Sequence, residues 1–252
     1  MVSDIVEILQ GYSGSQVLLI TDGERKFVRK FGNIARNLER HRGLAATGIA
    51  MPELISQGPD HYDMSYVRHT DMVGWLLHNP TDQLLHWITD VIRILDADAT
   101  SKDYSAVYEQ KLSNPALRSH WSVLGFAPEQ LLARLPSQLE SSNYHGDFTM
   151  DNILYGSDGK FYLIDPITTE YDSWIFDIAK LMQDLECGWF MRNRTERLQG
   201  KLWIMRRAIS TLYPQAADPH LIILMLLRVL PYARNAQDTE WIRKEIARLW
   251  TS

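Results

Sequence analysis

A chain of 252 residues, 45% apolar and 23% charged, has ordinary globular composition and enough apolar side chain to bury a core. Its net charge of −5 excludes an overall polycation built to coat nucleic acid, yet the charge is uneven: +5 from Lys180 to Ser252 and −10 before it. The single cysteine, Cys187, excludes an internal disulfide and fits a reducing, cytoplasmic setting, while the longest apolar run, "LIILMLLRVL", is broken by Arg228 and too short to span a bilayer.

The opening "MVSDIVEILQ" carries acids and no long apolar run, so no signal peptide is expected. "VLLI" and "KFVRKF" read as strands flanking "TDGER", where Asp22-Gly23 is a hairpin signal. The small-residue loop "GYSGS" precedes them. "NIARNLERHRGLAATG" reads as a helix with Asn33 as N-cap and Gly48 as stop. "MPELISQG" and "HYDMSYV" read as two further strands. "TDQLLHWITDVIRILDADA" has helical periodicity, capped by Thr81 or Asp82, and "PEQLLARL" is a second helix. From Ser173 onward the pattern is almost wholly helical, with breaks near Gly188, residues 214–219 and Pro231. The expected architecture is α+β and bilobal. Residues 1–68 form a small antiparallel sheet with one helix, and residues 69–252 a larger, mainly helical lobe carrying one hairpin.

The stretch "NYHGDFTMDNILYGSDGKFYLIDP", residues 143–166, sets a histidine, four aspartates and two asparagines around two apolar runs. It is either a solvated hairpin with polar ends or a site, because buried carboxylates need partners or metals. With Asp158-Gly159 as a two-residue turn, Leu154 faces Leu163 and Asn152 faces Asp165. Directly opposed Cβ atoms lie roughly 5 Å apart. That expectation puts an amide oxygen and a carboxylate at one hairpin end, an oxygen set suited to Mg2+. Asp147, in the loop leading into the hairpin, is placed to orient a nucleophile. The eight histidines are scattered, and no Cys/His pair has zinc-ligand spacing.

"HGDFTMDNIL", then "LIDP", then "DIAKL" resembles the aminoglycoside phosphotransferase and choline kinase family, relatives of the protein kinases. Asp147, Asn152 and Asp165 stand in the order of the kinase catalytic-loop Asp, its Asn and the downstream metal-binding Asp, the first two at the same spacing. The resemblance implies a protein-kinase-like fold using ATP and Mg2+. It makes Asp147 the catalytic base or hydroxyl-orienting carboxylate, and Asn152 and Asp165 the metal ligands. His145 becomes a packed, hydrogen-bonded member of the loop, and Asp177 the buried acid that braces it. Asp151 has no implied role and is expected in solvent.

In the N-terminal half, the resemblance makes "FVRKF" the strand whose lysine meets the phosphates. Lys30 is the choice, with Lys26 and Arg29 as competitors, since alternation sets Val28 and Lys30 on one face. Its partner acid would be Glu39, the sole acid in residues 25–52. Gly11, Ser13, Gly14 and Ser15 would cover the nucleotide with backbone N–H groups. Tyr66 and Val67 of "MSYV" would be the hinge that binds adenine.

The segment from Asp165 to Asp177 is short and has Pro166 where protein kinases carry Phe-Gly, which points to a small-molecule kinase. The basic tail disfavours polycationic aminoglycosides. A choline or amino-alcohol acceptor would want an aromatic cage, for which Trp174, Trp189, Phe190 and Trp203 are available. The motifs look most similar to kinase-like proteins of bacterial surface-polysaccharide pathways. The expected partner is therefore a small-molecule hydroxyl, a sugar or sugar-like group, which Arg192, Arg194 or Arg197 could contact if it is anionic. No nucleic acid is expected. A protein kinase and a non-catalytic nucleotide-binding relative are the remaining readings.

Overall fold

The computed structural model describes residues 4–9, 16–23, 25–32, 34–233 and 235–251. The loop candidates Gly11, Ser13, Gly14 and Ser15 and the cap Asn33 lie outside the described residues. The chain groups into two compact units. One is Met1–Trp75 with Asp151–Thr168, the other Leu76–Met150 with Thr169–Ser252. The segment that carries the hairpin thus goes with the N-terminal segment rather than with the helices.

The first unit is built on strands β1 (Asp4–Leu9), β2 (Val17–Asp22) and β3 (Arg25–Phe31), helix α1 (Ile34–Ala46), and strands β4 (Leu54–Gln57) and β5 (His61–Ser65). The sheet order is β1-β2-β3-β5-β4, and every neighbouring pair is antiparallel. Alternation along β3 divides its side chains between two apolar clusters. Phe27 packs with Leu18 and Ile20, and Phe31 leans on them. Val28 packs with Leu38 of α1 and with Tyr62 and Met64 of β5. Lys30 pairs with Tyr62 across β3–β5 and is only 4% exposed. A lysine buried that deeply needs an anion.

Next come β6 (His69–Thr70), α2 (Met72–His78), α3 (Asp82–Leu95), β7 (Thr100–Asp103), α4 (Ser105–Leu112), α5 (Arg118–Leu124), α6 (Pro128–Leu132) and β8 (Gln138–Ser141). The pair β7–β8 is antiparallel, and it was not expected from the sequence. Its strands are four residues each, polar, and more than thirty residues apart. They carry neither the apolar alternation nor the turn signal by which strands are read.

Strands β9 (Ile153–Gly156) and β10 (Phe161–Leu163) form the expected hairpin, and β6 joins β9 to make a three-stranded sheet. The register differs by one residue from the expected one. Leu154 pairs with Tyr162, not Leu163, and Ile153 pairs with Leu163. The reason is the loop. Gly156 donates to the Lys160 carbonyl at 2.8 Å, so three residues, Ser157 to Gly159, make the connection instead of two. Three-residue hairpin loops end in a left-handed residue, and Gly159 has φ +81°. Asn152 therefore faces Ile164, whose N–H donates to the Asn152 carbonyl at 3.0 Å. Asp165 is offset by one residue and is not directly opposed to Asn152.

The remainder is helical: α7 (Trp174–Cys187), α8 (Gln199–Leu212), α9 (Pro219–Val229) and α10 (Ala236–Trp250). The Ser173 hydroxyl caps α7 by accepting from the Ile175 N–H at 3.1 Å. Leu221 to Leu227 of α9 are all at most 2% exposed, so this helix is apolar on every side and forms the centre of the second unit. Among the described residues no helix is long and apolar enough to cross a membrane.

Gly159→Ala tests the hairpin loop. The nearest heavy atom to an added Cβ is Tyr155 Oη at 3.8 Å, so the cost is conformational, not steric. Urea denaturation is expected to show a loss of about 1 kcal/mol. A two-residue loop that does not use Gly159 in this conformation would show none.

Candidate active site

In the second unit the loop after β8 is held by one buried carboxylate. Asp177, in the first turn of α7 and 1% exposed, accepts from the N–H of His145 at 2.5 Å and of Gly146 at 2.7 Å. Two adjacent N–H groups on one carboxylate fix the loop's path. Burial pushes the Asp177 carboxyl up, to about 7, while the two N–H bonds and Arg228 oppose the rise. Arg228, at the end of α9, donates to the Gly146 carbonyl at 3.2 Å and lies over the Tyr171 ring at 4.6 Å. The same residue, Gly146, is thus gripped at its N–H from α7 and at its carbonyl from α9.

Between these anchors the loop presents Asp147. His145 and Phe148 on either side are fully buried, whereas the Asp147 side chain is 34% exposed. The His145 ring accepts the Asp147 N–H at Nδ1, 3.3 Å away. Lys180, three residues past Asp177 on the same helix face, brings Nζ to 3.3 Å from Asp147 Oδ1. Burial pushes the Asp147 carboxyl up, but Lys180, then Arg228 and His145, more than offset it and hold the group below the usual carboxylate range. Asp184, one turn further and fully buried, accepts from the Met150 N–H at 2.7 Å. Asp177, Lys180 and Asp184 thus reach the start, middle and end of residues 145–150.

The frame around the loop has a second anchor. Asp172 accepts from Lys102 Nζ at 2.7 and 2.8 Å, from Tyr104 Oη at 2.9 Å and from Ser141 Oγ at 3.1 Å, and its carbonyl accepts from the Ser142 N–H at 3.0 Å. The β7–β8 pair therefore fixes where the loop begins.

In the first unit, Lys30 Nζ lies 2.8 Å from Asp165 Oδ1. The competitors are placed elsewhere. Arg29 is bidentate to Asp63 at 2.7 and 2.9 Å, and Lys26 is exposed. Glu39 is exposed on α1 and forms no ion pair among the described residues, so the acid that Lys30 meets here is Asp165. Asp165 has φ +57°, a left-handed backbone that costs a non-glycine residue roughly 1–2 kcal/mol and recurs at functional positions. That turn breaks the strand alternation just where β10 ends. Tyr66 and Val67 follow β5 in irregular backbone. The Val67 carbonyl accepts from His69 Nδ1 at 2.8 Å, and the neighbouring Arg68 carbonyl accepts from the Ser157 N–H at 2.8 Å.

Lys180, Asp184, Arg228 and Asp172 were not assigned roles from the sequence. Lys180 and Asp184 had a signal, since they stand at i+3 and i+7 from Asp177 and helical spacing puts all three on one face. Arg228 had one too, as the single charge in an otherwise apolar run. Asp172 had none, because its partners come from segments 31 and 70 residues away.

Comparison with family models identifies one family. The model of the phosphotransferase enzyme family, APH, matches residues 4–209. A search of curated proteins returned no match. Among solved structures, a thermostable mutant of aminoglycoside phosphotransferase APH(4)-Ia, in ternary complex with AMP-PNP and hygromycin B, superposes with a TM-score of 0.62 at 13% identity, covering 99% of this chain and 96% of that one. A candidate fructosamine-3-kinase from Haemophilus somnus 129PT gives 0.59 at 13% identity, covering 96% and 90%. Ethanolamine kinase from Plasmodium vivax gives 0.55 at 10% identity, covering 98% and 81%. At these identities the structures show a shared fold.

Asp177→Ala leaves two buried N–H groups without an acceptor, and chemical denaturation is expected to show a loss of about 2–5 kcal/mol. The pH dependence has a definite sign. The folded pKa of Asp177 is raised above its unfolded value near 3.9, so its contribution is fully present below about pH 4 and is lost as pH rises through about 7. Asp147 acts oppositely: its contribution is present above about pH 4 and is lost as pH falls through its lowered folded value. Stability of wild type minus Asp177→Asn should therefore decline between about pH 4 and 7. A difference that is flat across that range contradicts the assignment.

Proposed function

The chain belongs to the phosphotransferase enzyme family, and on that footing we propose that it is an ATP- and Mg2+-dependent kinase of a small molecule, with a sugar or sugar-like hydroxyl as acceptor. One observation carries the reading: a loop held rigid by Asp177, Arg228 and Asp184 leaves a single carboxylate, Asp147, open to solvent between fully buried neighbours. A carboxylate fixed in that way is suited to orient a hydroxyl and take its proton. In the reaction the acceptor oxygen bonds to the γ-phosphorus, the bond from that phosphorus to the β,γ-bridging oxygen breaks, and ADP departs with the electron pair. The hydroxyl proton passes to Asp147 and then to solvent.

Asn152 and Asp165 would hold Mg2+. The donors fit: an amide oxygen and a carboxylate, half-buried at one hairpin end, with no histidine or cysteine in the set. Among the described residues no group of three His, Cys, Asp or Glu could hold a metal, so phosphates and water would complete the shell. When bound, Mg2+ supplies charge neutralisation on the phosphates. Lys30 would contact the nucleotide phosphates, and Tyr66 and Val67 the adenine. The AMP-PNP complex of the aminoglycoside enzyme supports a nucleotide donor here. The hygromycin B bound in one structural relative, and the fructosamine and ethanolamine in the names of the other two, support a small-molecule acceptor.

Thermal shift and ATP consumption together test the reading. Mg-ATP at 100 times its Kd should stabilise the protein by about 2.7 kcal/mol. Asp165→Ala should lose most of that shift. Asp147→Asn should keep the shift and lose phosphoryl transfer by about 100-fold or more. A wild-type protein that gains no stability from Mg-ATP contradicts the nucleotide assignment, and transfer surviving in Asp147→Asn contradicts the base.

A further inference from the structure

We propose that Lys180 is a positioning residue for phosphoryl transfer, holding the Asp147 carboxylate ionised and oriented toward the acceptor hydroxyl. The inference rests on the role of Asp147 proposed above and adds a residue to it.

The geometry comes first. Lys180 is 6% exposed, and its ammonium sits 3.3 Å from Asp147 Oδ1. Burying a lysine on a helix whose neighbours Ile178, Ala179 and Leu181 are also fully buried is costly unless the charge is met. A merely structural pair would be sealed on both sides. Here the pair is lopsided. The ammonium is enclosed, while a third of the partner carboxylate reaches solvent. With Oδ1 directed to the ammonium, the carboxylate is fixed in rotation.

The electrostatics agree. The charged groups facing Asp147 are Lys180 and Asp177 from α7, Arg228 from α9 and His145 from its own loop. Lys180 in turn faces Asp184 one turn along α7, Arg228 of α9 and Lys111 of α4. Burial pushes the Lys180 ammonium down, with Arg228 adding to the fall, while Asp147 and Asp184 oppose it. Of the cations near Asp147, Lys180 weighs most in keeping the carboxyl ionised. The kinase pattern quoted above for the loop, an Asp followed five residues later by Asn, is met by "DFTMDN" with no cation between the two residues. The cation at this loop is supplied from α7 instead. During transfer the acceptor oxygen bonds to phosphorus as its proton moves to Asp147. Lys180 keeps its own three protons throughout and takes no part in bond making.

Lys180→Gln, which keeps a donor and removes the charge, and Lys180→Arg, which keeps the charge, are compared with wild type in two measurements on the full chain. The first is 13C NMR titration of the Asp147 carboxyl, assigned by its loss in Asp147→Asn. The second is the pH dependence of phosphate release from Mg-ATP with water as acceptor. In Lys180→Gln the Asp147 titration and the acid limb of the rate are expected to move up by about one pH unit or more. The kcat should fall about tenfold or more with the KM for Mg-ATP little changed. Lys180→Arg should restore most of both. An unmoved titration in Lys180→Gln, or a Lys180→Arg protein as defective as Lys180→Gln, overturns the proposal. If Asp147→Asn is inactive while Lys180→Gln is normal, the lysine role falls and the kinase reading stands. If Asp147→Asn remains active, the kinase reading of Asp147 falls first.

Discussion

The carboxylate of Asp177 accepting the adjacent N–H groups of His145 and Gly146 is the interaction on which the rest of the candidate site depends. It is an expensive arrangement. The group is almost completely enclosed, and enclosure pushes its carboxyl up toward neutrality. What offsets that cost is local: two backbone donors and the guanidinium of Arg228. The consequence is a loop whose peptide planes are set before any ligand arrives. Pre-set geometry of this kind is how a phosphoryl-transfer site contributes, because the protein does little covalent chemistry of its own.

Around that contact the structure repeats one device. Helix α7 offers Asp177, Lys180 and Asp184 on a single face, each aimed at a different part of residues 145–150. Helix α9 is apolar on every side from Leu221 to Leu227, and the charge of Arg228 that follows meets the Gly146 carbonyl and the Tyr171 ring. Asp172 ties the start of the loop to β7–β8. In the first unit the buried cation and the left-handed acid, Lys30 and Asp165, hold one another. A charge-rich set of this type is stable only while every member keeps its partner, which is why single substitutions within it are expected to cost more than surface changes do.

Much of this was legible in the sequence, and the parts that were not share a cause. Strands β4 and β5, the hairpin β9–β10 and the helices from Ser173 onward follow from periodicity, caps and turn residues. The family is suggested by three short motifs in order, and the family model over residues 4–209 agrees with it. The hairpin register differs by one residue from the two-residue-turn expectation because Asp158-Gly159 fits both a two-residue and a three-residue loop, and only the Gly156–Lys160 bond separates them. The acid beside Lys30 was expected from α1 by resemblance, whereas Asp165 pairs with it by long-range geometry that no local pattern encodes. The same holds for Asp172 and Arg228, whose partners lie far away in sequence. Local rules read elements well; charge partners across the fold need the fold.

The central claim is that Asp177 holds the loop that presents Asp147, and amide hydrogen exchange tests it most directly. In wild type the His145 and Gly146 amides should exchange only through large-scale opening, with protection close to that of the α9 core. In Asp177→Asn, measured where the protein is still folded, protection at those two amides should collapse while that of α9 is kept relative to its own global stability. Fast exchange at His145 and Gly146 in wild type, or unchanged protection in the variant, would contradict it.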